Sequence, residues 1–404
     1  DYDPNKLILP IIWAAPPPWW AELYPEEIAK FSDGKPWEYY RATPSFSSEQ
    51  WRKDAAAAME AFVRYVESRP YASRVLGYWV IGGVSAEWQG WGCHGSEGEK
   101  HLMDYSRPAQ EGFREFLSRK YPGAAGNVEI PTIEERLQSE LGQFRDPVAG
   151  RRCIDFNEFY SEALADCMLS CVHAAKEAVG RRKIVGVYFG YTLEYTNMAW
   201  CLQMSGHNMV RKALDSPDVD FFSAPQSYSV RAPGEDMGWM WAWRSMQNAG
   251  KLVWPDDDTR TFLSGPSEHS PVVNPHETQQ VLRRNFATQL CNLCPQGFLA
   301  IISGRELGSP SIAKDTWAIR RAGDRLFHFH ACENDRGVPG RGQVEWGAVA
   351  DALFDIEYDG AVVIESFTPE VKSIARAVCI WRELAGSQDE LAREGLAFLR
   401  GLFG

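Results

Sequence analysis

Acids, a histidine and arginines recur in this sequence just after short apolar runs. Glu87 stands in Ser85-Ala86-Glu87-Trp88, with Trp91 close behind. Tyr191 and Glu194 follow a second run, and Gln226, Tyr228 and Arg231 a third. Asp256-Asp257-Asp258 leads into Thr259 and Arg260, and Arg305 with Glu306 follows the next run. His330, Glu333 and Arg336 come after another, and Glu365 after the last. Glu, Asp, His and Tyr are the side chains that carry protons in catalysis. Arginine grips oxygen-rich groups through paired donors. Aromatic residues add a second theme, with 16 Trp and 15 Tyr. The C–H faces of sugar rings stack on such planes, although the same rings also fill large cores.

The elements that must position these groups alternate along the chain. Eight apolar runs read as strands: Leu7–Ile12, Leu76–Gly82, Ile184–Tyr188, Val219–Ala224, Lys251–Trp254, Phe298–Ile302, Leu326–His330 and Ala361–Ile364. Amphipathic stretches between them read as helices over Ser48–Glu67, Asp155–Val179, Val344–Phe354, Pro369–Leu384 and Gln388–Leu399. Asn274 offers an N-cap, and Pro275 suits the first position of a helix running through Leu290. Repeated strand–helix units build parallel sheets, and eight of them is the count of an α/β fold of the (β/α)8 TIM-barrel type. In that fold chemistry sits at the C-terminal ends of the strands, which is where the polar residues above fall. Two insertions, 90–150 and 191–215, are expected as loops and short helices over one barrel face.

Composition narrows the partners. The 404 residues suffice for one large barrel or two medium domains. Acidic residues outnumber basic ones 54 to 42, a net charge of −12, which argues against nucleic acid or an anionic membrane surface as partner. No run of 18 apolar residues predicts a membrane span. Asp1 to Pro10 lacks the basic and apolar regions of a signal peptide. Cys291 and Cys294 form a CxxC, but no second pair or nearby His completes a zinc site. The nine cysteines therefore read as buried, reduced thiols of a cytoplasmic protein.

Several stretches carry a family resemblance. They are Pro16-Pro17-Pro18-Trp19-Trp20, Val75-Leu76-Gly77-Tyr78, Ala86-Glu87-Trp88, Val185 to Tyr191, Ser205-Gly206-His207, Asp220 to Tyr228 and Lys251 to Leu263. On these, residues 1–298 resemble the barrel of β-galactosidase-like glycoside hydrolases, within the broad clan of retaining (β/α)8 glycosidases. The resemblance implies one carboxylate that protonates the leaving oxygen and a second that attacks the anomeric carbon, about 5–5.5 Å apart. Glu87 matches the acid/base. The clan expects a late-strand Glu as nucleophile. Here Asp256, Asp257 and Asp258 stand in its place, with Asp256 and Asp258 as the candidates. One of the three could instead pair with Arg260 and hold the loop. Trp20, Trp88, Tyr191, Tyr228 and Arg260 would contact the sugar, and no cofactor is implied.

A second resemblance covers residues 311–402. Ala322-Gly323-Asp324-Arg325-Leu326-Phe327-His328-Phe329-His330, Glu333 to Gly340, Trp346, Tyr358-Asp359-Gly360 and Val363 to Phe367 are similar to the C-terminal quarter of ketose 3-epimerases of the D-tagatose/D-psicose group, among the xylose-isomerase-like barrels. That family implies a divalent cation, Mn²⁺ or Mg²⁺. His330 matches its His ligand, Glu365 its final Glu (ligand and acid/base), and Arg336 its substrate-contacting Arg. His328 falls on the opposite strand face and is expected to pack or support. The family's other ligands have no recognisable match here.

The two parts, 1–298 and 299–404, would contribute six and two strands to one hybrid barrel, with a seam at Ser303–Pro310. In such a hybrid, Asp256 or Asp258, Glu306, His330 and Glu365 would form an oxygen-rich, one-imidazole set suited to Mg²⁺ or Mn²⁺. Three readings follow, the first favoured by the extent of its match and the others its alternatives. They are a retaining glycosidase, a metal-dependent ketose 3-epimerase or isomerase, and a sugar-binding or degenerate hybrid protein without catalysis. Each takes a small sugar or glycoside as partner, and a homo-oligomer is compatible with all three.

Overall fold

A computed structural model describes residues 7–37, 42–93, 102–123, 128–138, 144–195, 199–262, 272–294, 297–298, 317–333, 336–342, 344, 346–368, 370, 372, 380 and 382–403. Its strands are β1 (Ile11–Ala14), β2 (Gly77–Gly83), β3 (Glu87–Gln89), β4 (Ile184–Tyr188), β5 (Phe221–Pro225), β6 (Leu252–Asp257), β7 (Gly297–Phe298), β8 (Phe329–Ala331) and β9 (Val362–Ile364). The first seven form one parallel sheet in the order β1-β2-β4-β5-β6-β7, with β3 added to β2. Neighbours in sequence are neighbours in the sheet and helices lie between them, the repeat of the TIM-barrel class.

Seven of the eight expected strands are matched by β1, β2, β4, β5, β6, β8 and β9, β3 is an addition, and of the expected strand Phe298–Ile302 only Phe298 lies within the described residues, in β7. The expected ring is not closed among the described residues. There β8 pairs with β9, and β1 and β7 are the two ends of the seven-stranded sheet. The seam at 303–310 and most of the expected helix 369–384 lie outside the described residues.

The middle of the sheet is buried on both faces: β2 (Gly-Tyr-Trp-Val-Ile-Gly-Gly) and β5 are buried at every position. That is the behaviour of a parallel strand covered by helices outside and by side chains within. Register fixes the inner face: Trp79 pairs with Gly186, Gly186 with Phe221, and Ser223 with Trp254. Trp79 accordingly packs on Tyr188 (4.7 Å between ring centroids), Phe221 (5.4 Å) and Trp254 (6.0 Å). A side chain at Gly186 would collide with the Phe221 ring.

The outer layer rests on two long helices. Ser48 caps helix Glu49–Glu67 by accepting from the Trp51 amide, a contact that stabilises by about 1 kcal/mol. Its stripe of Ala55, Met59, Val63 and Val66 is buried, as is the Cys167, Met168, Cys171 and Val172 stripe of helix Arg151–Ala178. Asn274 caps helix Pro275–Cys291 as its sequence indicates. The first insertion carries a 14-residue helix, Arg107–Lys120, longer than expected. A separate apolar cluster of Ala331, Trp346, Val349, Leu353 and Leu399 joins β8 and β9 to helices Trp346–Asp355 and Gln388–Phe403. Cys153, Cys167, Cys171 and Cys294 are buried free thiols, whereas Cys291 is free and exposed. No described helix is long and apolar enough to cross a membrane.

Candidate active site

Glu87 is delivered by a strained turn. After Gly83 (φ +68°), Ser85, Ala86 and Trp88 all adopt left-handed backbone, at φ 54°, 65° and 52°. Each such non-glycine residue costs roughly 1–2 kcal/mol. Any side chain at Gly83 would run into the Gln89 backbone, so glycine alone lets the turn fold back onto β2. The turn leaves Glu87 partly accessible, with Oε1 accepting the Tyr191 hydroxyl and Oε2 the Gln89 amide, each at 3.1 Å. Burial pushes its carboxyl up to about 8, and the charges of Asp258 and Asp256 push the same way. The Tyr191 hydrogen bond and the charge of Arg231 pull against them.

Strand alternation sorts the three consecutive aspartates. Asp256 shares the inner face with Trp254 and accepts the Tyr188 hydroxyl at 2.6 Å. Asp257 faces out, where Asn285 of helix Pro275–Cys291 reaches both its oxygens at 3.3 Å. Asp258 turns inward again and is the partner of two guanidinium groups. Its Oδ1 lies 2.6 Å from Arg231 Nη2, while Oδ2 accepts from Arg260 (2.9 Å) and the Tyr228 hydroxyl (2.6 Å). Arg231 also lies 3.7 Å over the Tyr228 ring. Burial and the adjacent Asp258 push the Tyr228 phenol up to about 12; burial and Asp256 likewise raise Tyr188. The chain thus brings Glu87, Asp256, Asp258, Tyr191, Tyr228 and Arg260 together at the C-terminal end of the sheet.

Two expected sugar contacts are placed elsewhere. Trp20 is 2% exposed, packs edge-on against Trp51 and donates to Asp54. Trp88 is 1% exposed, with its indole N–H given to the Val80 carbonyl. Both rings are core, so neither offers a face to a sugar. Conversely, sequence reading singled out neither Tyr188 nor Gln89. Tyr188 closes β4 with its side chain inward, and that strand-end position was the available signal. A surface cleft of about 350 Å³ lies apart from the cluster, among Glu49, Arg52, Arg107, Glu111, Arg119 and Asp166. Its lining is charged and mutually paired, as in Arg107 with Glu111 and Arg119 with Glu162.

A second polar group forms at β8 and β9. Glu365 Oε2 lies 3.2 Å from His330 Nδ1 and accepts from Arg336 Nη1 at 3.1 Å. His328 meets the His330 ring edge-on at 4.4 Å. Glu333 is structural: fully buried, it accepts from Trp346 Nε1 (2.7 Å), the Gly340 amide (2.7 Å) and the Val344 amide (3.2 Å). Of the four expected metal ligands, His330 and Glu365 meet, and Glu306 lies outside the described residues. The aspartate position is not free to join them in the case of Asp258, which its arginines hold. Among the described residues no three His, Cys, Asp or Glu gather as a metal group.

Residues 282–402 match the family described as "Xylose isomerase-like TIM barrel". A "Probable ketose 3-epimerase" of Synechocystis sp. is 40% identical over 108 residues, covering 26% of this chain and 37% of the relative. The chain spans about a third of the length of the curated relatives it matches. Among solved structures, the catalytic domain of β-amylase from Paenibacillus polymyxa is 15% identical with a TM-score of 0.48, covering 72% of this chain and 75% of that one. A β-galactosidase from Marinomonas ef1 is 13% identical with a TM-score of 0.37, covering 98% and 49%.

Proposed function

We propose that this chain is a carbohydrate-active enzyme that hydrolyses glycosides with two carboxylates, Glu87 and Asp256. The supporting observation is the Glu87 carboxyl, pushed up to about 8 chiefly by burial. Such a group keeps its proton at neutral pH and can give it to a leaving oxygen. In the first step the Glu87 proton passes to the glycosidic oxygen, the bond from that oxygen to the anomeric carbon breaks, and Asp256 bonds to the carbon. In the second, water attacks the same carbon, its proton goes to Glu87, and Asp256 leaves as carboxylate. Tyr188 steadies Asp256 through its 2.6 Å hydrogen bond. Asp258, balanced by Arg231 and Arg260, holds the loop instead of attacking. With Glu87 protonated, two aspartates offset two arginines, which suits a neutral sugar. Tyr228 and Arg260 are its proposed contacts, whereas Tyr191, as buried as Trp88, acts through its hydrogen bond to Glu87; this chemistry needs no cofactor. The test is release of sugar from a panel of nitrophenyl glycosides by the purified chain. Activity that Asp256→Asn abolishes without unfolding supports the reading, and no cleavage across the panel overturns it.

The match of residues 282–402 favours a second reading, a metal-dependent ketose 3-epimerase or isomerase. There His330 and Glu365, with Glu306, would hold Mn²⁺ or Mg²⁺, and Arg336 would contact the ketose. Elemental analysis after exposure to Mn²⁺ decides it. About one metal per chain, lost in His330→Ala, supports this reading, and none removes it. A chain with neither activity is the third case, a sugar-binding or degenerate hybrid protein.

A further inference from the structure

The Glu87 centre is assembled from two pieces of chain far apart in sequence. One is the turn after β2 that carries Glu87, and the other is the loop after β4 that carries Tyr191. The imidazole of His207 lies between them. Its Nδ1 stands 3.1 Å from the Gly190 amide and 3.0 Å from the Tyr191 amide. Its Nε2 stands 3.1 Å from the Glu87 carbonyl oxygen and 3.2 Å from that of Trp88. Backbone amides only donate and carbonyls only accept, so a single tautomer satisfies all four partners. Nδ1 is the acceptor and Nε2 carries the hydrogen.

We infer that His207 is the positioning residue of this centre, tying the Glu87 turn to the Tyr191 loop through one buried, neutral imidazole. The inference rests on the reading of Glu87 as the acid.

Three observations carry it. The ring is 1% exposed and is wedged against Phe189 (4.5 Å) and edge-on to Tyr191 (4.8 Å), so it cannot swing away from its partners. The carbonyls it holds belong to Glu87 and Trp88, within the turn whose left-handed residues Ser85, Ala86 and Trp88 need an external tie to persist. The amides it holds flank the start of the loop whose phenol donates to Glu87 Oε1 at 3.1 Å. His207 therefore spans, through backbone, the same two segments that the Tyr191–Glu87 hydrogen bond spans through side chains. The chain prepares this placement with Gly206, whose left-handed backbone (φ +74°) lies where any side chain would strike Leu164.

A packing histidine and a positioning histidine differ in what their loss does to Glu87. The experiment follows the Glu87 carboxyl against pH in protein carrying ¹³C-labelled glutamate, in wild type, Tyr191→Phe, His207→Ala, His207→Gln and the double variant Tyr191→Phe/His207→Ala. Folding of each is checked by near-ultraviolet circular dichroism. His207→Ala is expected to move the Glu87 titration upward by on the order of one pH unit, in the same direction as Tyr191→Phe. The double variant should shift no further than the larger single, because both changes remove one hydrogen bond. His207→Gln keeps a donor for the two carbonyls and should restore part of the wild-type value. A folded His207→Ala that titrates as wild type overturns the inference, as do fully additive shifts. If His207→Ala does not fold, His207→Gln decides: a titration between those of wild type and Tyr191→Phe supports positioning, and an unchanged one overturns it. The titration needs no turnover, so failure of the glycosidase reading would show separately, as absent cleavage by wild type.

Discussion

The Tyr191 hydroxyl donates to Glu87 Oε1 across 3.1 Å, from a loop 104 residues further along the chain. A donor to a carboxylate favours the charged form, so this bond draws the Glu87 carboxyl down while burial pushes it up to about 8. Tyr191→Phe should therefore shift the alkaline limb of kcat/KM upward, since on the proposed reading Glu87 must be protonated to act. A pH–rate profile checks it, and a limb that stays in place or falls would show that the phenol does not act on Glu87.

Glu87 also makes stability depend on pH. Its folded value of about 8 lies above the ordinary 4.5, so the native state holds this proton more tightly than the unfolded chain does. That contribution is fully present below about 4.5 and is lost as pH rises through about 8. Between pH 5 and 8 the wild type should lose stability relative to Glu87→Gln, by a few kcal/mol at most on ~1.4 kcal/mol per unit. Urea midpoints of the two proteins across that range report the difference. Parallel curves would mean the carboxyl titrates normally.

The two inward aspartates should separate cleanly. Arg231→Met leaves the buried Asp258 with Arg260 as its remaining guanidinium partner, and breaking a buried pair costs about 3–5 kcal/mol. Asp256→Asn keeps the Tyr188 contact and should leave the urea midpoint nearly unchanged while turnover collapses. The reverse pattern, with Asp258→Asn abolishing turnover at full stability, would exchange their roles.

Glu333 should matter only to the C-terminal cluster. Glu333→Ala strands the indole N–H of Trp346 and the amides of Gly340 and Val344, at about 1–3 kcal/mol for each buried group left without a partner. Hydrogen exchange should accelerate in β8 and β9. The layer around Trp79 belongs to a separate apolar cluster and should exchange as before. Acceleration throughout the chain would show that the clusters unfold together.

The strands were legible because parallel strands buried on both faces read as continuous apolar runs, as in Gly77–Gly83. β3 was not, since three residues hung on a left-handed turn leave no periodic trace. The placement of Glu87 at the C-terminal end of the sheet could be read from its strand-end position. The choice between Asp256 and Asp258 could not, because it depends on Tyr188 arriving from β4 and Arg231 from beyond β5. Trp20 and Trp88 were misread for a simpler reason: a tryptophan that fills a core and one that stacks on a sugar look alike in sequence. The 14-residue helix Arg107–Lys120 was blurred by its charged face, although Ala109, Phe113, Phe116 and Leu117 fall on one buried stripe.

The central claim is that Glu87 supplies the proton to the leaving group. An acid matters most where the leaving group is poor, so kcat/KM of wild type and Glu87→Gln should be compared on dinitrophenyl and alkyl glycosides of the same sugar. The account predicts a loss of about 10²–10⁴-fold on the alkyl glycoside and little loss on the dinitrophenyl one. Equal losses on both substrates, or none on either, would contradict it.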